Sequence, residues 1–105
     1  MPLQDEIAEL LRMPENGAGA PSLDTIELTL TDGYAAKHTL EAERWRIERR
    51  LGEVARDGGE GTKRRELARL SEQLDTADGE LARLRTLLHK LQSVRRRRRA
   101  AAPAG

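Results

Sequence analysis

Five consecutive arginines, Arg95 to Arg99, are the most distinctive chemical feature of this chain of 105 residues. Adjacent guanidinium groups can neutralise several phosphates, which gives nucleic-acid binding that is non-specific and strongly salt-dependent. A simpler explanation is that cations near a helix C-terminus interact favourably with the helix dipole. No aromatic residue interleaves with the run to stack on bases. We therefore rank nucleic-acid contact second, with the candidate residues Arg95, Arg96, Arg97, Arg98 and Arg99.

The histidines and serines show no spacing typical of catalysis or metal binding. His38 and His89 are far apart and belong to no His-x-x-x-His or Glu-x-x-His pair. None of the three serines has a neighbouring base. The chain has no cysteine, so it has no thiolate ligand and no disulfide. We predict that the protein is not an enzyme and uses no cofactor and no metal.

A polar segment, Asp57-Gly58-Gly59-Glu60-Gly61, separates two long apolar-periodic stretches. In architecture, residues 40–94 resemble the N-terminal antiparallel hairpin of the Gre-type transcription-cleavage factors, which presents acidic tip residues to the active-site magnesium of RNA polymerase. Lys63-Arg64-Arg65-Glu66 replaces the Asn-Ala-x-Tyr stretch of that family, and the helical motif of cyclic-di-GMP-responsive anti-sigma hairpins matches only at Arg85. The resemblance implies a helical-hairpin regulator that binds RNA polymerase or a sigma factor, our third alternative.

The elements that carry these residues are predicted by two matching apolar patterns. Between Thr62 and Val94, apolar residues alternate steps of three and four, as in a coiled-coil seam: Leu67, Leu70, Leu74, Ala77, Leu81, Leu84, Leu88 and Leu91. A similar register runs through Leu23, Ile26, Leu30, Gly33, Lys37, Leu40, Arg44, Ile47, Leu51 and Val54. Because a short glycine-rich turn joins the two stretches, we predict an antiparallel two-helix coiled-coil hairpin over residues 22–94, with its turn at 57–61.

Polar residues within this register test the predicted pairing. Folding the chain about residue 59 places Arg44 opposite Ala77, flanked by Asp75 and Asp78, so we expect Arg44 to be paired. Residues 25–31 also alternate as a strand would. A single short strand has no pairing partner in this chain, so we predict helix there and an all-α fold.

The regions outside the hairpin complete the predicted organisation. Residues 1–13 form a short amphipathic helix, residues 14–21 a flexible Gly/Pro linker, and residues 95–105 an Arg-rich disordered tail. Trp45 and Leu87 flank the seam, and Ile7 and Leu10 lie on the apolar face of the first helix. These four residues are the candidate protein-binding set. Docking of the first helix, or a dimer, explains them more simply than a dedicated partner surface does.

Composition limits the functional classes. Residues 1–60 carry 13 acidic and 7 basic side chains, whereas residues 61–105 carry 5 acidic and 12 basic, which favours pairing within or between chains. No apolar run is long enough for a membrane span or a secretory signal, so we expect a cytoplasmic protein without membrane contact. We predict a non-catalytic coiled-coil interaction or regulatory module that packs on protein partners through helices and self-associates as a dimer.

Overall fold

A computed structural model describes residues 2–57 and 61–101, with Thr62 described by its backbone only. It contains three helices: α1 (Pro2–Arg12), α2 (Leu23–Arg56) and α3 (Thr62–Ala101). No residue of the described ranges is in a strand, which confirms the all-α prediction. The predicted turn at 57–61 falls largely on residues 58–60, which lie outside the described part.

The chain divides into two compact units. The terminal unit comprises Met1–Lys37 and Arg83–Gly105, and the central unit comprises His38–Ala82. Helices α2 and α3 each contribute one segment to both units. The two units are described separately below.

Helix α2 begins where the sequence offers a capping side chain. The Ser22 hydroxyl oxygen accepts a hydrogen bond from the Thr25 backbone N–H at 3.1 Å, and the Ser22 carbonyl accepts one from the Ile26 N–H at 3.1 Å. The first bond satisfies a donor that a helix start leaves unpaired, and the second is the first backbone hydrogen bond of the helix. Residues 25–31, which alternate as a strand would, therefore continue as helix from this cap.

Most of the buried apolar residues in the two units are positions of the predicted seam. Of the eight seam positions of α3, six are buried: Leu70, Ala77, Leu81, Leu84, Leu88 and Leu91. On α2 the buried apolar residues are also seam positions: Ile26, Leu30, Leu40 and Val54. The two long helices pack against each other, and the three-and-four spacing identified the residues that they bury.

Ion pairs give the direction of packing in the central unit. Arg44 donates to the Asp78 carboxylate, and the Arg50 Nε atom lies 3.0 Å from Oε1 of Glu66. Residue numbers rise along α2 as they fall along α3, which is the order that antiparallel helices produce. Arg44 is thus paired with one of the two aspartates that the register places beside it.

In the terminal unit, α1 packs closely at Gly33, a seam position without a side chain. A Cβ atom built at Gly33 would overlap Cδ2 of Leu88 and would lie 3.6 Å from Cδ1 of Ile7. Ile7 is fully buried, and the buried Gln4 accepts a hydrogen bond from Nη1 of Arg83 at 2.8 Å. Glycine at position 33 therefore leaves room for Leu88 and for the side chain that α1 inserts.

The disordered tail predicted for residues 95–105 differs from the structure over residues 95–101, and its last four residues lie outside the described part. Helix α3 continues through the arginine run to Ala101, whereas the sequence predicts a disordered tail from residue 95. Arginine is a good helix former, and the guanidinium groups of the run bind carboxylates and a carbonyl elsewhere in the terminal unit. The two carboxylates, Glu15 and Glu27, offset part of the like-charge repulsion that would otherwise oppose an ordered run.

Two glycine substitutions test the close packing at Gly33. Gly79 is also helical, but a Cβ there meets nothing within 4 Å. Gly79→Ala should therefore raise the free energy of unfolding by about 1 kcal/mol, the difference in helix propensity. Gly33→Ala gains the same propensity but overpacks the core at a cost of about 1–3 kcal/mol, so it should be neutral or destabilising. Urea unfolding followed by circular dichroism measures both, and equal stabilisation by the two variants would contradict the close packing.

Candidate interaction surfaces

The arginine run, Arg95 to Arg99, binds the linker and the start of α2. We call this set of contacts the clasp. The Arg97 Nε atom donates to Oε1 of Glu15 at 2.7 Å, and Arg98 donates to the Pro21 carbonyl at 2.6 Å. Arg99 binds Glu27 through Nε and Nη2 at 3.0 and 2.5 Å, and Arg95 lies 3.6 Å from the same carboxylate. Within the described ranges, Arg96 donates a hydrogen bond to the Ser93 hydroxyl alone, at 3.2 Å. Four of the five arginines predicted to bind phosphate therefore already bind groups of the same chain.

The clasp shifts the protonation equilibria of its members. The hydrogen bond from Arg97 lowers the pKa of the Glu15 carboxyl below its ordinary value, and the same bond raises the pKa of Arg97. In the central unit, the hydrogen bonds that Arg44 and Arg50 donate to Asp78 and Glu66 likewise raise the pKa values of the two arginines. All four groups therefore stay charged at neutral pH, as the ion pairs require.

A groove with a volume of about 570 Å³ lies in the terminal unit between α1, the linker and α3. We call it the α1–α3 groove. Its apolar wall consists of Ala8, Leu10, Leu11, Met13, Pro14, Pro21, Leu87 and Val94. The polar lining adds Arg12, Glu15, His89, Lys90, Ser93, Arg97 and Arg98. The groove joins two predicted partner-binding residues, Leu10 and Leu87, to two residues of the arginine run.

Trp45 lies on α2 in the central unit and is 58% exposed. The guanidinium carbon of Arg49 lies 5.5 Å from the centroid of its ring, within the range of a cation–π contact. Among the other large apolar residues described, Leu28 is 65% exposed and Tyr34 and Met13 are just over one-third exposed. Trp45 is therefore the largest apolar side chain that α2 presents to solvent.

The other residues considered as site residues lie in different environments. Ile7 is a core residue of the terminal unit, so in this structure it holds α1 in place and offers no surface. His38 lies 3.7 Å from Glu41 on the same helix, and the described residues contain no group of three or more acidic, histidine or cysteine side chains placed to hold a metal. No helix in the described ranges is long and apolar enough to cross a membrane.

Sequence reasoning did not identify Glu15, Lys90 or Pro21 as parts of a site. Glu15 and Pro21 belong to a segment whose composition is typical of a linker, and Lys90 is one charge among many on α3. The only sequence signal was the opposite charge of the two halves, which favours pairing but does not identify the partners.

Comparisons with protein-family models, with curated proteins and with solved structures find no match to this chain.

Acidification should open the clasp at Glu15. Because the folded pKa of this carboxyl is lowered, the ion pair contributes fully above the unfolded value of about 4.3 and is lost as pH falls through the folded pKa. NMR of the Arg97 Nε–H signal over an acid titration should show a transition below that value. Glu15→Gln should abolish the transition.

Glu9→Gln is the matched control, because Glu9 pairs with Arg12 inside α1. This variant should leave the Arg97 transition unchanged. An Arg97 signal that titrates identically in the wild type and in Glu15→Gln would show that the pair does not form in solution.

Proposed function

We propose that this chain is a non-catalytic helical interaction module, an antiparallel coiled-coil hairpin that packs against protein partners and self-associates. The exposure of Trp45 is the observation that supports it most strongly, because the seam that first suggests a partner is buried inside the chain. A surface for other molecules must then lie outside the seam. The RNA polymerase or sigma-factor alternative is one form of this proposal, in which the partner is part of the transcription machinery.

The chemistry of the Trp45 surface suits a protein interface. Tryptophan and arginine are the residue types that most often dominate binding energy, and here Arg49 already lies over the Trp45 ring. Covering the exposed part of the side chain removes on the order of 100 Å² of surface from water. At roughly 25 cal/mol per Å², this burial stabilises a complex by about 2–3 kcal/mol.

Self-association is supported by the size of the core. A chain of this length buries a smaller fraction of its surface than a larger domain does, and small helical proteins commonly gain stability by oligomerising. The core is built mainly from Leu, Ile, Val and Ala, because the chain has only one Trp, one Tyr and no Phe. A second copy that covers Trp45 would add the large aromatic contact that this core lacks.

Trp45→Ala tests the proposal, with Leu28→Ala as the matched control. Light scattering after size-exclusion chromatography should show a mass that rises with concentration in the wild type. The same rise should occur in Leu28→Ala, because Leu28 is at least as exposed as Trp45 but belongs to the terminal unit. Trp45→Ala should weaken association tenfold or more, since 1.4 kcal/mol corresponds to a factor of ten.

Trp45 is the only tryptophan, so its fluorescence reports directly on this surface. Its emission should shift to shorter wavelength as association proceeds, because the ring leaves water. A constant monomer mass would remove self-association from the proposal. A mass that rises equally in all three proteins would remove Trp45 from the interface.

Nucleic-acid binding has weaker support, because four of the five arginines already bind Glu15, Glu27 or the Pro21 carbonyl. Phosphates would have to displace those carboxylates. We expect duplex DNA and RNA to bind the wild type weakly at low salt, and to bind Glu15→Gln/Glu27→Gln more tightly. Fluorescence anisotropy measures both, and an absence of binding by both proteins would eliminate this alternative.

A further inference from the structure

We propose that the surface of α3 covered by α1 and the linker is a binding site for an acidic amphipathic helix of another protein, and that α1 is a displaceable occupant of this site. The site lies within the terminal unit, so it is separate from the Trp45 surface. Three features support it: a row of cations on α3, the acidic segment that lies on this row, and one cation that the segment leaves unbalanced.

The cations are Arg83, Lys90 and Arg97, which we call the basic stripe. They are seven residues apart, so they lie on one face of α3 at intervals of roughly 10 Å. Leu87 and Val94, which lie between them in the sequence, are only partly buried and line the α1–α3 groove. The stripe therefore presents regularly spaced positive charge beside apolar surface.

Contacts at both ends of the basic stripe show how α1 and the linker lie on it. Gln4 accepts a hydrogen bond from Arg83 at 2.8 Å. Glu15 accepts one from the Nε atom of Arg97 at 2.7 Å. Because residue numbers rise together in these pairs, the segment from α1 to the linker runs parallel to α3.

This covering segment shows which chemistry the site accepts. Residues 2–15 carry four acidic side chains and one basic side chain. Ile7 is fully buried, and Leu10 and Leu11 are partly buried, so α1 packs with an apolar face inward and acidic residues outside it. An acidic amphipathic helix is therefore the kind of partner that fits.

The middle of the basic stripe is poorly matched by α1. Lys90 forms no ion pair or hydrogen bond with the residues that the structure describes. Arg12, which lines the same groove, is also a cation and pairs with Glu9 on its own helix. A partner helix with an acidic residue at this point would add an attraction that α1 does not provide.

The helix α1 is also short for the surface that it covers. Its 11 residues are fewer than an isolated helix needs in water, and only two of them are buried. Pro14 prevents its continuation, so the chain reaches Arg97 through linker residues that are not helical. The stripe from Arg83 to Arg97 is roughly 21 Å long. A helix of that length would cover the apolar residues that α1 leaves partly exposed.

Fluorescence anisotropy with a labelled peptide tests the proposal on the full chain. The probe repeats the α1 heptad Asp5–Leu11 twice and adds a final aspartate, so that three aspartates match the spacing of the basic stripe. The control peptide has lysine at those three positions and the same apolar residues. We expect one probe to bind per chain at physiological salt and the control peptide to bind at least tenfold more weakly. Equal affinity for the two peptides would overturn the proposal.

Amide hydrogen exchange detects the displacement of α1. Exchange of residues 4–11 should become faster when the probe binds, whereas exchange of residues 38–57 in the central unit should not change. Probe binding that leaves exchange in α1 unaltered would place the peptide elsewhere and contradict the proposal.

A variant without a docked α1 should bind the probe more tightly. Ile7→Glu puts a charge at a fully buried position, so α1 no longer competes, and affinity for the probe should rise at least tenfold. Leu28→Glu, the same change in charge at an exposed apolar residue, should bind as the wild type does. Circular dichroism checks folding; if Ile7→Glu is unfolded, the two-peptide comparison in the wild type decides.

Charge reversal locates the bound peptide on α3. Lys90→Glu should weaken probe binding about fivefold, the effect of roughly 1 kcal/mol. Arg85→Glu makes the same change in net charge, but Arg85 lines a different groove, so affinity should change less than twofold. Equal effects of the two substitutions would show that only net charge matters and would overturn the proposal.

Two other occupants would give distinct results, and either would contradict the proposal. Duplex DNA that speeds exchange in α1 as strongly as the probe does would assign the basic stripe to phosphates. A mass that rises with concentration in the wild type but not in Ile7→Glu, measured by light scattering, would assign the site to α1 of a second copy.

Discussion

Burial of the leucine seam of α3 is the constraint on which the rest of this structure depends. A helix with this apolar stripe is stable only when another surface covers it, and the chain has one tryptophan, one tyrosine and no phenylalanine with which to build a larger core. In both units the covering surface is α2, whose buried residues share the same register. In the terminal unit, α1 adds a third layer at Gly33, where the absence of a side chain leaves room for Ile7 and Leu88.

Because the seam is buried inside the chain, other residues must provide the surfaces that act on other molecules. The side chains that first indicate a partner helix are mostly buried, and the arginine run is held by Glu15, Glu27 and Pro21. Two surfaces stand out among the described residues: the exposed Trp45 with its Arg49 neighbour, and the groove that α1 completes on α3. The first has the residue types of a protein interface, and the second has an apolar wall bordered by basic side chains. Each surface belongs to a different unit, so either can be altered by mutations far from the other in sequence.

The sequence predicted the helices well because their signals are local. The heptad spacing identified buried residues such as Leu84 and Leu91, and the register that follows from the turn placed Asp78 beside Arg44. It did not predict the ordered arginine run, because the groups that stabilise it, Glu15 and Pro21, lie about 80 residues away in a segment with the composition of a linker. The sequence did not predict the groove either. Leu10 and Leu87 were each selected for amphipathicity, but only the docking of α1 brings them to one surface.

The central claim is that each chain covers its own α3 seam with its own α2. The chain has no native cysteine, so Arg44→Cys/Asp78→Cys provides two unique attachment points at a contact of the central unit. A short bis-maleimide reagent should link them within one chain, giving a product of monomer mass in which mass spectrometry after proteolysis finds the two cysteine-containing peptides joined. Arg44→Cys alone should give no such product and serves as the control. A double variant that cross-links only to dimer mass would show that the seam is covered by a second chain, and would contradict the claim.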